Sequence, residues 1–290
     1  MDRPDMAGRE EILKVHVRKI TLAPDVDFHV IASRTPGFVG ADLANVVNEA
    51  ALLASRHGKE AVSMAEFDEA IDRAVSGLER KSRIISEEEK EIVSYHEMGH
   101  ALVALQLPYA DPVQKVTIVP HGVAALGMTL QLPLQDKYLF LKEELEDRIA
   151  VSLGGRASEE VRFGRVTTGA HNDLITATQL ARRMVREFGM SEKLGLIAFP
   201  DDRDAVSARF SFGGSEKEYS EETARLIDEE IRAIIDSNHT RAMKIVEESK
   251  EILEILAKQL MEKETISGAE LKQRFESLQR EATLSPATNC

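Results

Sequence analysis

Apolar residues return at helical spacing along most of this chain, and the breaks in that spacing divide it into segments. From Arg9 to Arg18, Ile12, Leu13 and Val17 form one stripe. A short helix is expected after Pro24, through Val26 and Val30. Thr35-Pro-Gly-Phe-Val-Gly reads as a turn. Ala41 to His57 then carries Leu43, Val46, Val47, Ala50, Leu53 and Ala54 on one helical face, with Gly58 at the position where a left-handed residue closes a helix. Ser63 with Glu66 forms a capping box for a helix through Ala74. Residues 1–78 therefore read as a small all-helical domain. The charged run Gly77-Leu-Glu-Arg-Lys-Ser-Arg marks the boundary, with a linker over 79–86.

A second domain is expected over 87–284. Ser86 and Glu89 form another capping box, and Ile92, His96, Gly99 with His100, and Val103 recur at helical spacing, which predicts an amphipathic helix with the histidines on its buried face. Lys115–Val119 and Leu126–Leu132 read as two strands around a Pro-His-Gly turn, bounded by Pro120 and Pro133, which suggests a small peripheral sheet. From Leu139 the pattern returns to helix. Gly154-Gly155 inside that helix should cost roughly 1 kcal/mol each relative to Ala, and close approach of a second helix would explain them. Thr167-Thr-Gly-Ala-His-Asn-Asp leads into LITATQLARRMVREFG, a helix closed by Gly189. Phe199–Gly214 has no usable period and reads as a mobile loop. Two long helices are expected over about Glu221–Ile235 and Thr240–Met261, and a last one from the Ser267–Glu270 box. Residues 285–290 read as a disordered tail. The fold class is mainly α with one small sheet.

Composition narrows the function. A hydrophobic content of 43% over 290 residues supports real cores, and the absence of Trp makes them aliphatic. The formal net charge of −13 argues against non-specific nucleic-acid binding, which requires neutralising phosphates. The single cysteine, Cys290, excludes a disulfide scaffold and a cysteine metal cluster. No apolar run is long enough to span a bilayer and no signal peptide is evident, so a reducing, cytoplasmic setting is expected for these residues.

The chemistry centres on His96-Glu97-Met98-Gly99-His100. Histidines four apart on a helix stand about one turn apart on one face, so both imidazoles can reach one tetrahedral Zn²⁺. Glu97, one position round the turn, is placed to act as general base toward a water that the metal activates. A hydrolytic site also needs a third protein ligand and an open position. His121 has the wrong spacing for that role. Asp173, opening an apolar-striped helix after a glycine-containing loop, is the leading candidate, because free backbone N–H groups favour a carboxylate in a first turn. His171 and either glutamate of Glu159-Glu160 remain alternatives.

The blocks DRPDMAGREEILKVHVR, TPGFVGADLANVVNEAALLA, VSYHEMGHALVA, DPVQKVTIVP, LGMT, LGGRASEE, TTGAHNDLITATQLARRMV and KLG occur in one order across nearly the whole chain. In this the chain resembles the C-terminal part of the FtsH family of membrane-anchored, ATP-dependent AAA+ zinc metalloproteases, peptidase family M41. The resemblance implies a helical ATPase lid followed by a mostly helical zinc endopeptidase domain, assembled as a homo-hexamer and acting on unfolded or flexible polypeptides. It implies His96, His100 and Asp173 as ligands to one Zn²⁺ per chain, Glu97 as the catalytic base, and Glu159 as a support for a ligand imidazole. Leu126, Gly127, Met128 and Thr129 would form the edge strand along which substrate extends. Gly40 and Ala41 would lie in the lid turn near the adenine end of a nucleotide.

The departures from the family are also specific. The chain shows no Walker A G-x-x-x-x-G-K-[ST], no acidic Walker B strand, no arginine-finger segment and no transmembrane pair. ATP with Mg²⁺ is therefore expected only in a full-length protein that carries the ATPase core, and membrane contact only through segments N-terminal to these residues. Met98 and His171 stand where the family commonly has small residues. The rival readings are an assembly module with silent peptidase chemistry, and a structural zinc domain; the intact Glu97 speaks against the latter.

Overall fold

The computed structural model describes residues 3–77, 86–120, 126–133, 136–137, 139–199 and 219–284. The expected connector up to residue 85, the turn at His121, the loop over 200–214 and the tail 285–290 lie outside the described residues. The fold is mainly helical with one three-stranded sheet. No helix among the described residues is long and apolar enough to cross a membrane. The chain divides into two compact units, each made of several stretches of sequence.

The first unit comprises residues 1–87, 111–139 and 264–268. Four helices, α1 (Met6–His16), α2 (Phe28–Ser33), α3 (Gly40–Arg56) and α4 (Met64–Ser76), form the bundle that the apolar stripes predict. Leu13, Ile31, Leu43, Val46, Ala50, Leu53, Phe67 and Ile71 close its aliphatic core. Their starts are fixed by side chains that accept from free helical N–H groups: Asp5 from Gly8, and Asp27 from His29. At α4 the box is reciprocal, since the Ser63 N–H donates to Glu66.

The sheet of this unit runs β2 (Met128–Gln131), β1 (Val113–Thr117), β3 (Thr265–Ser267), with both pairings antiparallel. Of the four residues assigned to the edge, Met128 and Thr129 lie within β2, paired to Thr117 and Val116, while Leu126 and Gly127 precede it. The third strand is a departure from the sequence reading, in which Ser267 only began a helix. Three residues are too short for a period to register, yet Ile266 is buried between exposed neighbours and pairs with Val116. Gly268 follows at once, and a Cβ there would lie 1.7 Å from the Val113 carbonyl oxygen, so no larger residue fits this approach. One ion pair fastens sheet to bundle, Lys115 of β1 to Asp72 of α4 at 2.6 Å, and buried Arg9 of α1 pairs with Asp136, beyond β2, at 2.8 Å.

The second unit comprises residues 88–110, 140–263 and 269–290. It contains α5 (Glu87–Gln106), α6 (Lys142–Phe163), a 3₁₀ turn (Thr168–Ala170), α7 (His171–Arg186), α8 (Glu221–Glu248), α9 (Lys250–Lys263) and α10 (Gly268–Leu284). Helix α5 departs from the expected amphipathic form. Every residue from Val93 to Ala104 is buried, including those on the face opposite the histidines. Two long helices do fill 221–261, but the position of the break between them needs correction. Helix α8 runs unbroken through Asp236-Ser-Asn-His, and the break falls at Ser249. Within that stretch the Asn238 amide donates to the Ile234 carbonyl and the Thr240 hydroxyl to the Asp236 carbonyl. These polar side chains bond back one turn rather than ending the helix.

Helices α5 and α6 cross where both lack side chains. A Cβ on Gly99 would lie 2.4 Å from the Gly154 carbonyl oxygen, and one on Gly154 would lie 2.8 Å from the Gly99 carbonyl oxygen. This contact accounts for the helix-weakening glycine at 154. Ser158, also buried, donates its hydroxyl to the Tyr95 carbonyl at 2.7 Å across the same crossing. Arg241 of α8 pairs with buried Asp147 of α6 at 2.6 Å, and the Tyr109 N–H donates to the other oxygen of Asp147.

Candidate metal centre

The site lies wholly within the second unit and draws on three helices. Helix α5 brings His96 and His100 to the same face, one turn apart, with ring centroids 4.7 Å from each other. Helix α6 passes beneath them, and α7 opens with Asp173 in its first turn. His96, Glu97 and His100 are 8%, 7% and 8% exposed, and Glu159 is fully buried.

Three donor atoms converge. The two Nε2 atoms are 3.1 Å apart, and Asp173 Oδ2 lies 3.2 Å from His96 Nε2 and 3.6 Å from His100 Nε2. Each ring is held from behind through its other nitrogen. His96 Nδ1 donates to Glu159 Oε1 at 2.7 Å, and His100 Nδ1 donates to the Val151 carbonyl at 2.7 Å. The Gly155 N–H also lies 3.3 Å from His100 Nδ1, but the shorter contact is to an oxygen that can only accept, which puts the proton on Nδ1. Both Nε2 atoms then face each other and a carboxylate oxygen.

That donor set fits a divalent metal. Two imidazole nitrogens and one carboxylate, each offering one atom and all within 4.8 Å of one another, are the protein share of a catalytic zinc site. The electrostatics agree. Burial would favour a neutral His96 ring, yet hydrogen bonds to the Asp173 and Glu159 carboxylates outweigh it and push its pKa up to about 10. Burial would raise the Asp173 carboxyl, but His100 and His96 hold it far below the usual carboxylate range. Glu159 is likewise held low against burial by His96 and Thr167. The pocket favours positive charge between these three side chains.

The alternatives for the third ligand fall elsewhere. His171 is exposed and stands outside the cluster. Glu160 faces Arg156 at 2.7 Å and His239 at 3.5 Å. Glu159 contacts His96 on the nitrogen away from Asp173, the second-layer arrangement that fixes an imidazole's tautomer. Glu97, beside the ligands in sequence and buried with them, contributes its charge at His96.

Sequence reasoning missed three contributors. The Val151 carbonyl carries no residue signature, because any amino acid supplies one. Gly155 was noticed with Gly154, but its partner is the histidine pair. A Cβ there would stand 2.5 Å from His100 Nε2 and 2.6 Å from His96 Nε2. Thr167, in the stretch that leads into α7, donates its N–H to Glu159 Oε2 at 2.6 Å and its hydroxyl to Glu159 Oε1 at 3.1 Å.

Comparison with known proteins points the same way. Residues 83–273 match peptidase family M41, and residues 25–69 match the AAA+ lid domain. The chain is 54% identical over 273 residues to an ATP-dependent zinc metalloprotease FtsH 3 of Petrotoga mobilis, covering 94% of this chain and 42% of that protein. It is 54% identical over 273 residues to FtsH of Syntrophobacter fumaroxidans, with the same coverage of each. With FtsH 4 of Synechocystis it shares 48% identity over 284 residues, 98% of this chain and 45% of that protein. The chain thus spans less than half the length of these relatives.

Proposed function

The chain belongs to peptidase family M41, and on that premise we propose that it is the lid-and-peptidase portion of a zinc-dependent endopeptidase for unfolded or flexible polypeptides. The observation that carries this reading is the convergence of His96 Nε2, His100 Nε2 and Asp173 Oδ2, with Glu97 buried next to them. Zn²⁺ held by those three atoms would supply Lewis-acid polarisation of a peptide carbonyl and acidify a water molecule. Glu97 accepts a proton from the attacking water as its oxygen bonds the scissile carbonyl carbon. It then gives that proton to the amide nitrogen as the C–N bond breaks. Glu159 and the Val151 carbonyl keep both Nδ1 atoms protonated, so that both Nε2 lone pairs stay directed at the metal.

The remaining parts follow the family. Among the described residues β2 stands at the end of the sheet order, and, as in the family, an extended substrate would run along Leu126, Gly127, Met128 and Thr129. The proposed domain boundary is the linker 79–86, which overlaps the end of the gap between the matches over 25–69 and 83–273, with the lid over 1–78 and the peptidase over 87–284. Gly40 and Ala41, at the start of α3, would approach a nucleotide held by an ATPase core. A homo-hexamer is the proposed assembly, on the cytoplasmic side of a membrane to which N-terminal segments anchor it.

Glu97→Gln tests the mechanism. It keeps the size of the side chain and removes the base. Bound zinc by elemental analysis, melting temperature and fluorogenic-peptide cleavage are measured on the same preparations of parent and variant. Zinc content near one per chain and an unchanged melting temperature are expected, with cleavage lower by at least roughly 10². Cleavage at the parent's rate would refute the role of Glu97. Zinc lost together with activity would make Glu97 a structural element of the site.

A further inference from the structure

The metal aspartate reaches the histidines from a separate helix, and one side chain bridges the two. Thr167 stands six positions before Asp173, at the head of the 3₁₀ turn that leads into α7. Its backbone N–H and its hydroxyl donate to the two different oxygens of Glu159, at 2.6 and 3.1 Å. The same Glu159 Oε1 accepts from His96 Nδ1. The Thr167 hydroxyl oxygen also accepts the Gly169 N–H at 3.1 Å, which fixes the first turn of the segment that continues into α7. A fully buried carboxylate is thus shared between the ligand helix α5 and the loop that delivers Asp173.

We propose that Thr167 is a positioning residue for the metal carboxylate: by clasping Glu159 behind His96 it sets the register of Asp173 against the two histidines. This rests on the metal reading above. The hydroxyl serves as donor to Glu159 and acceptor from Gly169 at once, a pair of roles that Ser can reproduce and Val cannot. Because α7 is a rigid element, a shift of its first turn moves Asp173 Oδ2 by a comparable distance. Ligand bonds tolerate about 0.2 Å.

The test compares Zn²⁺ affinity, by competition with a chromophoric chelator, and the visible bands of the Co²⁺-substituted protein, in the parent, Thr167→Ser and Thr167→Val. Metal-free melting temperatures are recorded alongside. Thr167→Val should lose about tenfold or more in Zn²⁺ affinity, the usual scale for outer partners of ligands, and shift the Co²⁺ bands. Thr167→Ser should stay within about threefold of the parent by the same scale. In an Asp173→Ala background, Thr167→Val should have little further effect. Three results would overturn the proposal: Thr167→Val binding zinc as tightly as the parent, Thr167→Ser failing as badly as Thr167→Val, or a valine cost undiminished without Asp173, which would place the effect on His96 through Glu159. A parent that binds neither metal would refute the metal reading itself, separately from the role of Thr167.

Discussion

Two adjacent glycines of α6 should fail in different ways under the same substitution. Gly155→Ala places a methyl 2.5 Å from His100 Nε2, 2.6 Å from His96 Cε1 and 2.6 Å from His96 Nε2. These distances fall roughly 1 Å short of ordinary van der Waals contact, which begins at 3.4 Å. The rings cannot swing aside freely, since Glu159 and the Val151 carbonyl pin their Nδ1 atoms at 2.7 Å. Either those bonds break or the two Nε2 donors leave their positions, and zinc ligands tolerate only about 0.2 Å. Zinc affinity should fall by more than the roughly 10–100-fold typical of losing an outer partner, or beyond about 2.7 kcal/mol. The metal-free fold should lose about 1–3 kcal/mol if one of those buried bonds breaks, offset by up to about 1 kcal/mol of helix propensity. Gly154→Ala behaves differently. Its methyl would meet backbone, the Gly99 carbonyl oxygen at 2.8 Å and His100 Cα at 3.1 Å, so α5 and α6 must separate. Overpacking of that kind costs about 1–3 kcal/mol, partly offset by propensity. Chelator-competition titration and metal-free urea unfolding of both variants decide it. Gly155→Ala binding zinc like the parent, or Gly154→Ala unfolding at the parent's midpoint, would refute the reasoning.

Other outcomes follow from contacts described above. Burial would raise the Glu66 carboxyl, but Lys59, Ser63 and His57 hold it down to about 2. Since that lies below the unfolded value of about 4.3, Glu66 stabilises the fold fully above about pH 5 and loses this as pH falls toward 2. Glu66→Gln should therefore be less stable at pH 7 by on the order of 2 kcal/mol, with the gap closing on acidification; a gap constant from pH 7 to pH 3 in urea melts would contradict this. Arg241→Met deprives buried Asp147 of its charged partner and should cost about 2–3 kcal/mol in chemical unfolding, part of which Asp147→Asn restores in the same background. His171→Ala should leave zinc occupancy unchanged, whereas Asp173→Ala lowers both occupancy and melting temperature, because the ligand ties α7 to α5. The chain alone should cleave casein without ATP and leave a tightly folded domain intact; ATP-dependent loss of a folded substrate would contradict that.

The parts legible in the sequence are those where local geometry is invariant. Residues four apart on a helix share a face whatever surrounds them, so His96 and His100 needed no tertiary information. The helices of the first unit were readable from apolar stripes such as Leu43 to Ala54 and from the Ser63–Glu66 box. Asp173 was only favoured over His171 and Glu159 by residue-level reasoning, since the approach of α7 to α5 is a tertiary fact. Helix α5 was misread as amphipathic because its outer positions are Ala, Met, Leu and Val among small residues, and a helix buried all round has no polar face to give it a period. Asp236-Ser-Asn-His resembled a helix stop by composition, yet Asn and Thr bond to carbonyls one turn back as readily as they cap. Strand β3 was invisible for want of length, and the Val151 carbonyl for want of a side chain.

The place of β3 sets a timetable for synthesis. Thr117 and Thr265, whose hydroxyls meet at 2.8 Å, are 148 residues apart in the chain. At about 5–20 residues per second, a ribosome needs on the order of 10–30 s to make the intervening segment. During that interval the β1–β2 hairpin can form while the far side of β1 remains without its strand. An exposed edge of that kind invites pairing with another nascent chain. Lys115 sits in the middle of β1, and a lysine there is one of the devices that discourages such pairing. Its salt bridge to Asp72 joins the early hairpin to helices already made, so those helices can hold the unfinished sheet until residue 267 emerges.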